Sequence, residues 1–204
     1  MKIITISREF GSGGRELGKR LAEALGYDYY DSEIISAVAK NSGMDARYVE
    51  MQLNEHGWRN FPVTFRGTLG SSAYVQANKV QLLIEQKKVI EEIGSLGKDC
   101  VIVGRNADVL LQKYDPFKIF VCAEAEAKLR RCRERASVSE NYTDKEMLRR
   151  MREIDKARAH TRAFLSGSEW GRRDAYHLTI NTTDRAIKTL VPAVAAYASA
   201  WFEA

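Results

Sequence analysis

Ile3-Ile4-Thr5-Ile6-Ser7-Arg8-Glu9-Phe10-Gly11-Ser12-Gly13-Gly14-Arg15-Glu16-Leu17-Gly18-Lys19-Arg20-Leu21 is the stretch whose reading decides the fold. A short β-branched run stops at a cluster of glycines, and an amphipathic helical pattern follows at once. Strand, glycine turn and helix in that order form the scaffold of a phosphate cradle. Glycines let the backbone approach an anion, successive N–H groups point at it, and the helix N-terminus adds positive potential. The full phosphate-loop signature needs Gly, four residues, then Gly-Lys-Ser/Thr. Laid over this chain, its first Gly falls on Arg8, its second on Gly13, its Lys on Gly14 and its Ser/Thr on Arg15. The outline of the cradle is present and its two chemical side chains are not. An ordinary strand-to-helix turn with flexible glycines is the competing reading of the same residues.

Working outward, Leu17, Leu21, Ala24 and Leu25 recur at helical spacing, and Gly26 is placed to end that helix. Tyr27-Asp28-Tyr29-Tyr30 reads as a short second strand running into Asp31. A helix through Ile34, Ile35, Val38 and Ala39 follows, and Asp45 is placed to cap another that carries Val49 and Leu53. The segment from Trp58 to Ser72, with Phe61, Pro62, Phe65, Gly67 and Gly70, reads as a loop. Val80, Leu83, Ile84, Val89, Ile90 and Ile93 mark a long helix that stops at Gly94 or Gly97. Cys100-Val101-Ile102-Val103 has no polar interruption, as a strand buried on both faces should not, and runs directly into Gly104-Arg105-Asn106-Ala107-Asp108. Phe117-Lys118-Ile119-Phe120-Val121 and Leu178-Thr179-Ile180 supply the last two strands. Between them lie a helix through Leu129 and Arg133 and a second one opened by the capping box Thr143-Asp144-Lys145-Glu146. The tail from Asp184, through Ile187, Leu190, Val194 and Trp201, reads as a helix with a kink allowed at Pro192.

Strands separated by helices imply crossover connections and a parallel sheet covered on both faces. In such sheets ligands lie beyond the carboxyl ends of the strands. Arg8 to Arg15, Asp31 and Gly104 to Asp108 therefore converge on one crevice.

The 204 residues (23.1 kDa) are 45% hydrophobic and 29% charged, which excludes a disordered or membrane-embedded chain and predicts one domain. The longest apolar runs fall short of a bilayer span and no leader pattern opens the chain, so a cytoplasmic location is expected. Cys100, Cys122 and Cys132 are odd in number and scattered, which argues against disulfides or zinc. His56, His160 and His177 share no metal-ligand spacing. Net charge is +5, and arginines crowd the segment from Arg130 to Arg173. Solvated helix faces, nucleic acid and a polyphosphate substrate each account for such a segment. The preponderance of arginine favours bidentate phosphate recognition, and no interleaved aromatic platform supports single-stranded nucleic acid.

The chain resembles the P-loop nucleoside monophosphate kinases, and among them the cytidylate kinase-like proteins of bacteria. The resemblance is carried by residues 6–16, Tyr30-Asp31-Ser32, Val103-Gly104-Arg105-Asn106, Lys118-Ile119-Phe120-Val121 and Ile180-Asn181-Thr182-Thr183. It implies an α/β fold of three layers, α/β/α, with a five-stranded parallel sheet and a helical lid. The expected organisation is a single domain, 1–204, with a core of 1–43, 77–128 and 176–204. A substrate-binding insertion would lie at about 44–76 and an arginine-rich lid at about 129–165. The implied reaction is transfer of the ATP γ-phosphoryl group to a nucleoside monophosphate or a similar small phosphate acceptor, with Mg²⁺. By resemblance, Arg8, Gly11, Ser12, Gly13, Gly14 and Arg15 would bind the ATP phosphates, while Asp31 and Arg105 would face the acceptor. Arg131, Arg158 and Arg162, with Arg15, would neutralise charge on the transferred group. A small-molecule nucleotide is the expected partner, no membrane or nucleic acid is expected, and the aromatic segment from Trp58 to Phe65 allows a homodimer.

Three positions depart from the family pattern. Gly14 stands where the loop lysine belongs, Arg15 where a hydroxyl would hold Mg²⁺, and Val103 where an acidic residue precedes Gly-Arg. Arg15, or Arg8 from the loop's other end, could serve in the lysine's stead, and Asp31 or Asp108 could reach a metal through water. The alternative is a nucleotide-binding regulator without efficient phosphoryl transfer. Read as isolated residues, Asp31 is also a natural helix N-cap, Asp108 a surface or capping residue, and Asp155 an intrahelical ion-pair partner.

Overall fold

The computed structural model describes residues 1–46, 49, 53, 70–135 and 142–203. Its five strands are all parallel, in the order β2-β3-β1-β4-β5. They are β1 (Ile3–Arg8), β2 (Asp28–Tyr30), β3 (Cys100–Val103), β4 (Phe117–Cys122) and β5 (Leu178–Asn181). The two β-branched runs take the middle of the sheet because only there are both faces covered: β3 is wholly buried and β1 is buried up to Arg8. Pairing of Ile6 with Val103 and Ile119, and of Arg8 with Val121, sets the register at the carboxyl edge.

The helices are α1 (Gly14–Leu25), α2 (Ser32–Ser42), α3 (Gly70–Ser95), α4 (Ala107–Leu110), α5 (Ala125–Arg135), α6 (Asp144–Ser166) and α7 (Ile187–Glu203). Leu17, Leu21 and Ala22 of α1 and Ile187, Val191, Val194 and Ala198 of α7 share one core with Ile4, Ile6, Val101, Val103, Phe117, Ile119 and Val121. Residues two apart on each strand therefore meet one helical layer. The opposite face of β4 turns Phe120 towards Trp170 and Tyr176, at ring separations of 5.2 and 4.9 Å. The α/β class and the parallel five-stranded sheet expected from the sequence are those of the structure.

The chain falls into two compact units, Met1–Asp31 with Leu96–Ala204, and Ser32–Ser95. In the second, α2 packs on α3, and Ile34, Ile35, Val38, Leu82, Val89 and Ile90 are buried. Ala46, Val49 and Leu53 are helical, with Val49 donating its N–H to the Asp45 carbonyl at 3.0 Å. The chain is helical from Gly70, ten residues before the first periodic residue used to read α3. No proline or glycine interrupts 71–93, so nothing in the chain stops the helix from starting early. The loop expected from Trp58 to Ser72 is therefore helical at its last three residues, Gly70 to Ser72, while its residues 58–69, with the dimer segment, and residues 136–141 between α5 and α6 lie outside the described residues.

The capping box at α6 is formed: Thr143 Oγ1 accepts the Glu146 N–H at 3.3 Å, and the Glu146 carboxylate accepts the Thr143 N–H at 2.9 Å. Among the described residues no helix is long and apolar enough to cross a membrane.

Candidate functional site

The first helical hydrogen bond of α1 runs from Leu17 N–H to the Gly13 carbonyl at 3.0 Å. The N–H groups of Gly13, Gly14, Arg15 and Glu16 thus have no intrahelical partner and carry the positive end of the helix dipole. Gly13 caps the helix at φ 85°, a left-handed conformation that glycine adopts without steric cost. The turn before it is rigidly held. Ser12 donates both its N–H and its hydroxyl to the Glu9 carbonyl, and the Ser12 carbonyl accepts from Thr182 Oγ1 at 2.6 Å. Phe10 N–H donates to Asp155 Oδ1 at 2.8 Å.

Beside this loop the carboxyl ends of β1 and β3, the start of α1 and the middle of α6 bring four guanidiniums together, those of Arg8, Arg105, Arg15 and Arg158. Arg8, on the α1 side of β1, runs past the start of α1, and its head lies against Gly104 at the end of β3. A Cβ placed on Gly14 would sit 2.6 Å from Arg8 Cβ, and one on Gly104 would sit 1.6 Å from Arg8 Nη1. Arg8 Nη2 is 4.0 Å from Asp31 Oδ1, and Arg15 Nε donates to Asp31 Oδ2. Asp31 is buried, at 3% side-chain exposure, whereas Arg15 is 66% exposed and reaches in from above. Arg158 Nη1, on α6, donates to the Arg8 carbonyl at 3.0 Å and to Asp155 Oδ1 at 3.0 Å. Burial pushes the Arg8 pKa well below its usual value; the Arg158 and Arg105 charges add to the fall, and Asp31 opposes it. Burial also raises the Asp155 carboxyl, against the pull of Arg158 and the Phe10 N–H. Gly104, Arg105 and Asn106 are all left-handed, at φ 78°, 59° and 52°, so β3 ends in a turn with two non-glycine residues in an unfavoured conformation. Such strain persists where surrounding structure over-determines it.

The structure thus brings Arg8, Arg15, Asp31, Arg105 and Arg158 together beside the glycine loop, sets Arg131 against the loop's Ser12 carbonyl, and engages Arg162 and Asp108 elsewhere. Arg131 donates to the carbonyls of Ser12, Thr182 and Arg185 and to the Thr182 hydroxyl, which ties α5 to the loop and to the end of β5. Arg162 and Asp108 form a buried ion pair, 5% and 3% exposed, with Ser168 Oγ accepting from Arg162 Nε and the Tyr176 ring 5.1 Å from its guanidinium carbon.

Two residues given no site role from the sequence support the loop. The Glu9 carboxylate faces the start of α5, accepting from Ala123 N–H and Lys128 Nζ at 3.2 and 2.9 Å. An acidic residue inside a glycine loop was the signal for it, since a carboxylate there repels phosphate unless it is turned away. Asp155 pairs with Arg158 within its helix, as expected, and also anchors the loop through Phe10.

The residues present do not furnish a metal-ligand set. Among the described residues no group of three or more His, Cys, Asp or Glu could hold an ion. Asp31 is taken by Arg15 and Asp108 by Arg162, while the Ser12 hydroxyl is spent on Glu9.

A family model described as the cytidylate kinase-like family matches residues 3–184. Among solved structures, an uncharacterized protein from Eubacterium ventriosum is 24% identical with a TM-score of 0.70, with 98% of this chain and 99% of that chain covered. Shikimate kinase from Bacteroides thetaiotaomicron is 13% identical with a TM-score of 0.57, covering 96% of this chain and 97% of that one. Shikimate kinase from Acinetobacter baumannii, solved in complex with shikimate, is 16% identical with a TM-score of 0.53, covering 95% and 90%. At these identities the likeness to the solved structures is one of fold. None of the curated proteins matches the chain.

Proposed function

Because the chain belongs to the cytidylate kinase-like family, we propose that it is a cytoplasmic ATP-dependent phosphotransferase, moving the γ-phosphoryl group to a nucleoside monophosphate or similar small phosphate acceptor. The observation that carries this reading is the gathering of Asp31, Arg15, Arg105 and Arg158 around Arg8, beside the N–H groups at the start of α1 that have no intrahelical partner. Asp31 pairs with Arg15 and lies 4.0 Å from Arg8, and Asp155 pairs with Arg158.

In this reading the amides of Gly11, Gly13 and Gly14 wrap the ATP phosphates, with Arg8 and Arg15 supplying fixed charge, while Ser12, whose N–H and hydroxyl both go to the Glu9 carbonyl, shapes the turn. Asp31 and Arg105, at the ends of β2 and β3, face the acceptor. Arg158 neutralises charge as the phosphoryl group passes. Phosphoryl transfer needs positioning and electrostatic stabilisation more than covalent help from the protein. A phosphate acceptor reaches neutral pH largely as a dianion, its second pKa being about 6, so its oxygen attacks without a general base. Arg131 acts on the loop's shape, and Arg162 on the seating of α6. No step is assigned to a protein-bound Mg²⁺, because the side chains that would ligate it are otherwise engaged.

The departures at Gly14, Arg15 and Val103, where the loop lysine, the hydroxyl and the acidic residue would stand, favour a second reading, a nucleotide-binding regulator with little transfer activity. An ADP-release assay across the common nucleoside monophosphates, run beside a nucleotide thermal-shift panel, separates the two. The kinase reading expects both a rise in Tm by mass action and acceptor-dependent ADP release. A Tm rise without turnover leaves the regulator; no shift with any nucleotide removes both.

A further inference from the structure

The phosphate-loop signature puts a glycine at the start of the loop and a cation at its end; here the cation, Arg8, stands at the start and the glycine, Gly14, at the end. The two have exchanged ends, and the structure shows that each choice forces the other. From position 14 a lysine would have to leave α1 through a point 2.6 Å from Arg8 Cβ and 3.0 Å from Arg8 Cγ. The nearer atom, Cβ, is fixed by the backbone and cannot swing aside, and Cγ moves only by a change of χ1 rotamer. Arg8 therefore fills the space that a lysine stem at 14 would need. Its head reaches the edge of β3 only because residue 104 is also a glycine.

We infer that Arg8 is the loop's phosphate cation, standing in for the absent lysine, and that Gly14 and Gly104 are the two positions that make room for it. This rests on the phosphotransferase reading above and chooses between the two candidate cations. Arg15 is largely exposed and donates to Asp31, whereas Arg8 is set between α1 and β3 with its backbone carbonyl held by Arg158. Arginine suits the place because its planar head can offer a phosphate two parallel N–H groups.

The test is a set of variants of the full chain: Arg8→Met, Gly14→Lys, Arg15→Met, and the double change Arg8→Gly with Gly14→Lys, which restores Gly-x-x-x-x-Gly-Lys. Each is assayed for ATP affinity by titration calorimetry and for Tm without ligand. Arg8→Met keeps most of the stem, and is expected to weaken ATP about 10- to 150-fold, the range for removing a hydrogen bond to a charged group. Gly14→Lys alone is expected to lower Tm and weaken ATP, and the double variant to recover most of both losses. Arg15→Met is expected to weaken ATP less than Arg8→Met. The inference is overturned if wild type binds ATP and Arg8→Met binds it equally well. It is also overturned if Gly14→Lys melts like wild type, if the double variant is no better than Gly14→Lys, or if Arg15→Met carries the larger loss. Should Arg8→Met not fold, Arg8→Lys takes its place, and ATP binding equal to wild type through a lysine lacking the fork would refute the need for arginine. A wild type that binds no nucleotide refutes the phosphotransferase reading itself, which is a different result from any of these.

Discussion

The buried pair of Arg162 and Asp108 makes the sharpest stability test, because both residues were candidates for the chemistry. Arg162→Met keeps a stem of similar length and removes the charge. Asp108 then remains at 3% exposure with its cation gone. Removing one partner of a buried pair costs roughly 3–5 kcal/mol, since the other charge is stranded in low dielectric. The Tyr176 ring, 5.1 Å from the guanidinium, forfeits a cation–π contact at the same time. For a chain of this length about 1 kcal/mol corresponds to 2–4 °C, so Tm should fall by about 6 to 20 °C. Adding Asp108→Leu removes the stranded charge, and the double variant should recover most of the loss. Thermal melts followed by circular dichroism, arranged as a double-mutant cycle, read this directly. The reasoning fails if Arg162→Met stays within about 1 kcal/mol of wild type, the ordinary range of mild substitutions. It fails equally if the double variant melts no higher than Arg162→Met. A variant that keeps its Tm and loses nucleotide affinity would instead make Arg162 a ligand contact.

Gly104 and Gly26 are both left-handed, at φ 78° and 70°, and an added Cβ meets Arg8 at the first and nothing within 4 Å at the second. Gly104→Ala and Gly26→Ala should share a strain cost of about 1 kcal/mol, while only Gly104→Ala displaces the Arg8 head and weakens ATP; equal ATP affinities would refute that account. Cys100 is buried, and burial, followed by the charges of Asp28 and Asp99, pushes its thiol up to about 12. At about pH 8, where an ordinary thiol is partly ionised, native protein should leave Cys100 unmodified by a disulfide reagent and unfolded protein should not; peptide mapping that finds it labelled in the native chain would contradict this.

How far the sequence was legible follows from the range of each signal. β1 and β3 could be read because a strand buried on both faces leaves a contiguous apolar mark, and their glycine ends were visible as glycines. The Thr143 to Glu146 cap was legible because its four residues contact one another. The early start of α3 was not, since a polar stretch without breakers fits loop and helix alike. The exchange between Arg8 and Gly14 also escaped, although both departures from the signature were plain. Knowing that they are one departure requires the side-chain direction of β1 and the approach of α1. Arg131, Arg158 and Arg162 look alike in sequence. Only the packing of α5 and α6 gives one to the Ser12 carbonyl, one to Arg8 and one to Asp108.

The cluster's energetics favour an anionic ligand over a purely structural role. Like charges about 4 Å apart repel by about 4 kcal/mol at an effective dielectric of 20, and a lysine in such company would turn away or lose its proton. Arginine holds its charge, and these side chains are constrained: Arg8 by its seat between Gly14 and Gly104, Arg158 by the Arg8 carbonyl, Arg15 by Asp31. A buried pair serving stability alone would match its charges, as Arg162 and Asp108 do. Arg158, Arg105 and Arg15 instead all act on Arg8 with like charge, an arrangement suited to an anionic ligand. An anion bound among these guanidiniums offsets their mutual repulsion, so the loop can dispense with a lysine reaching in from the helix.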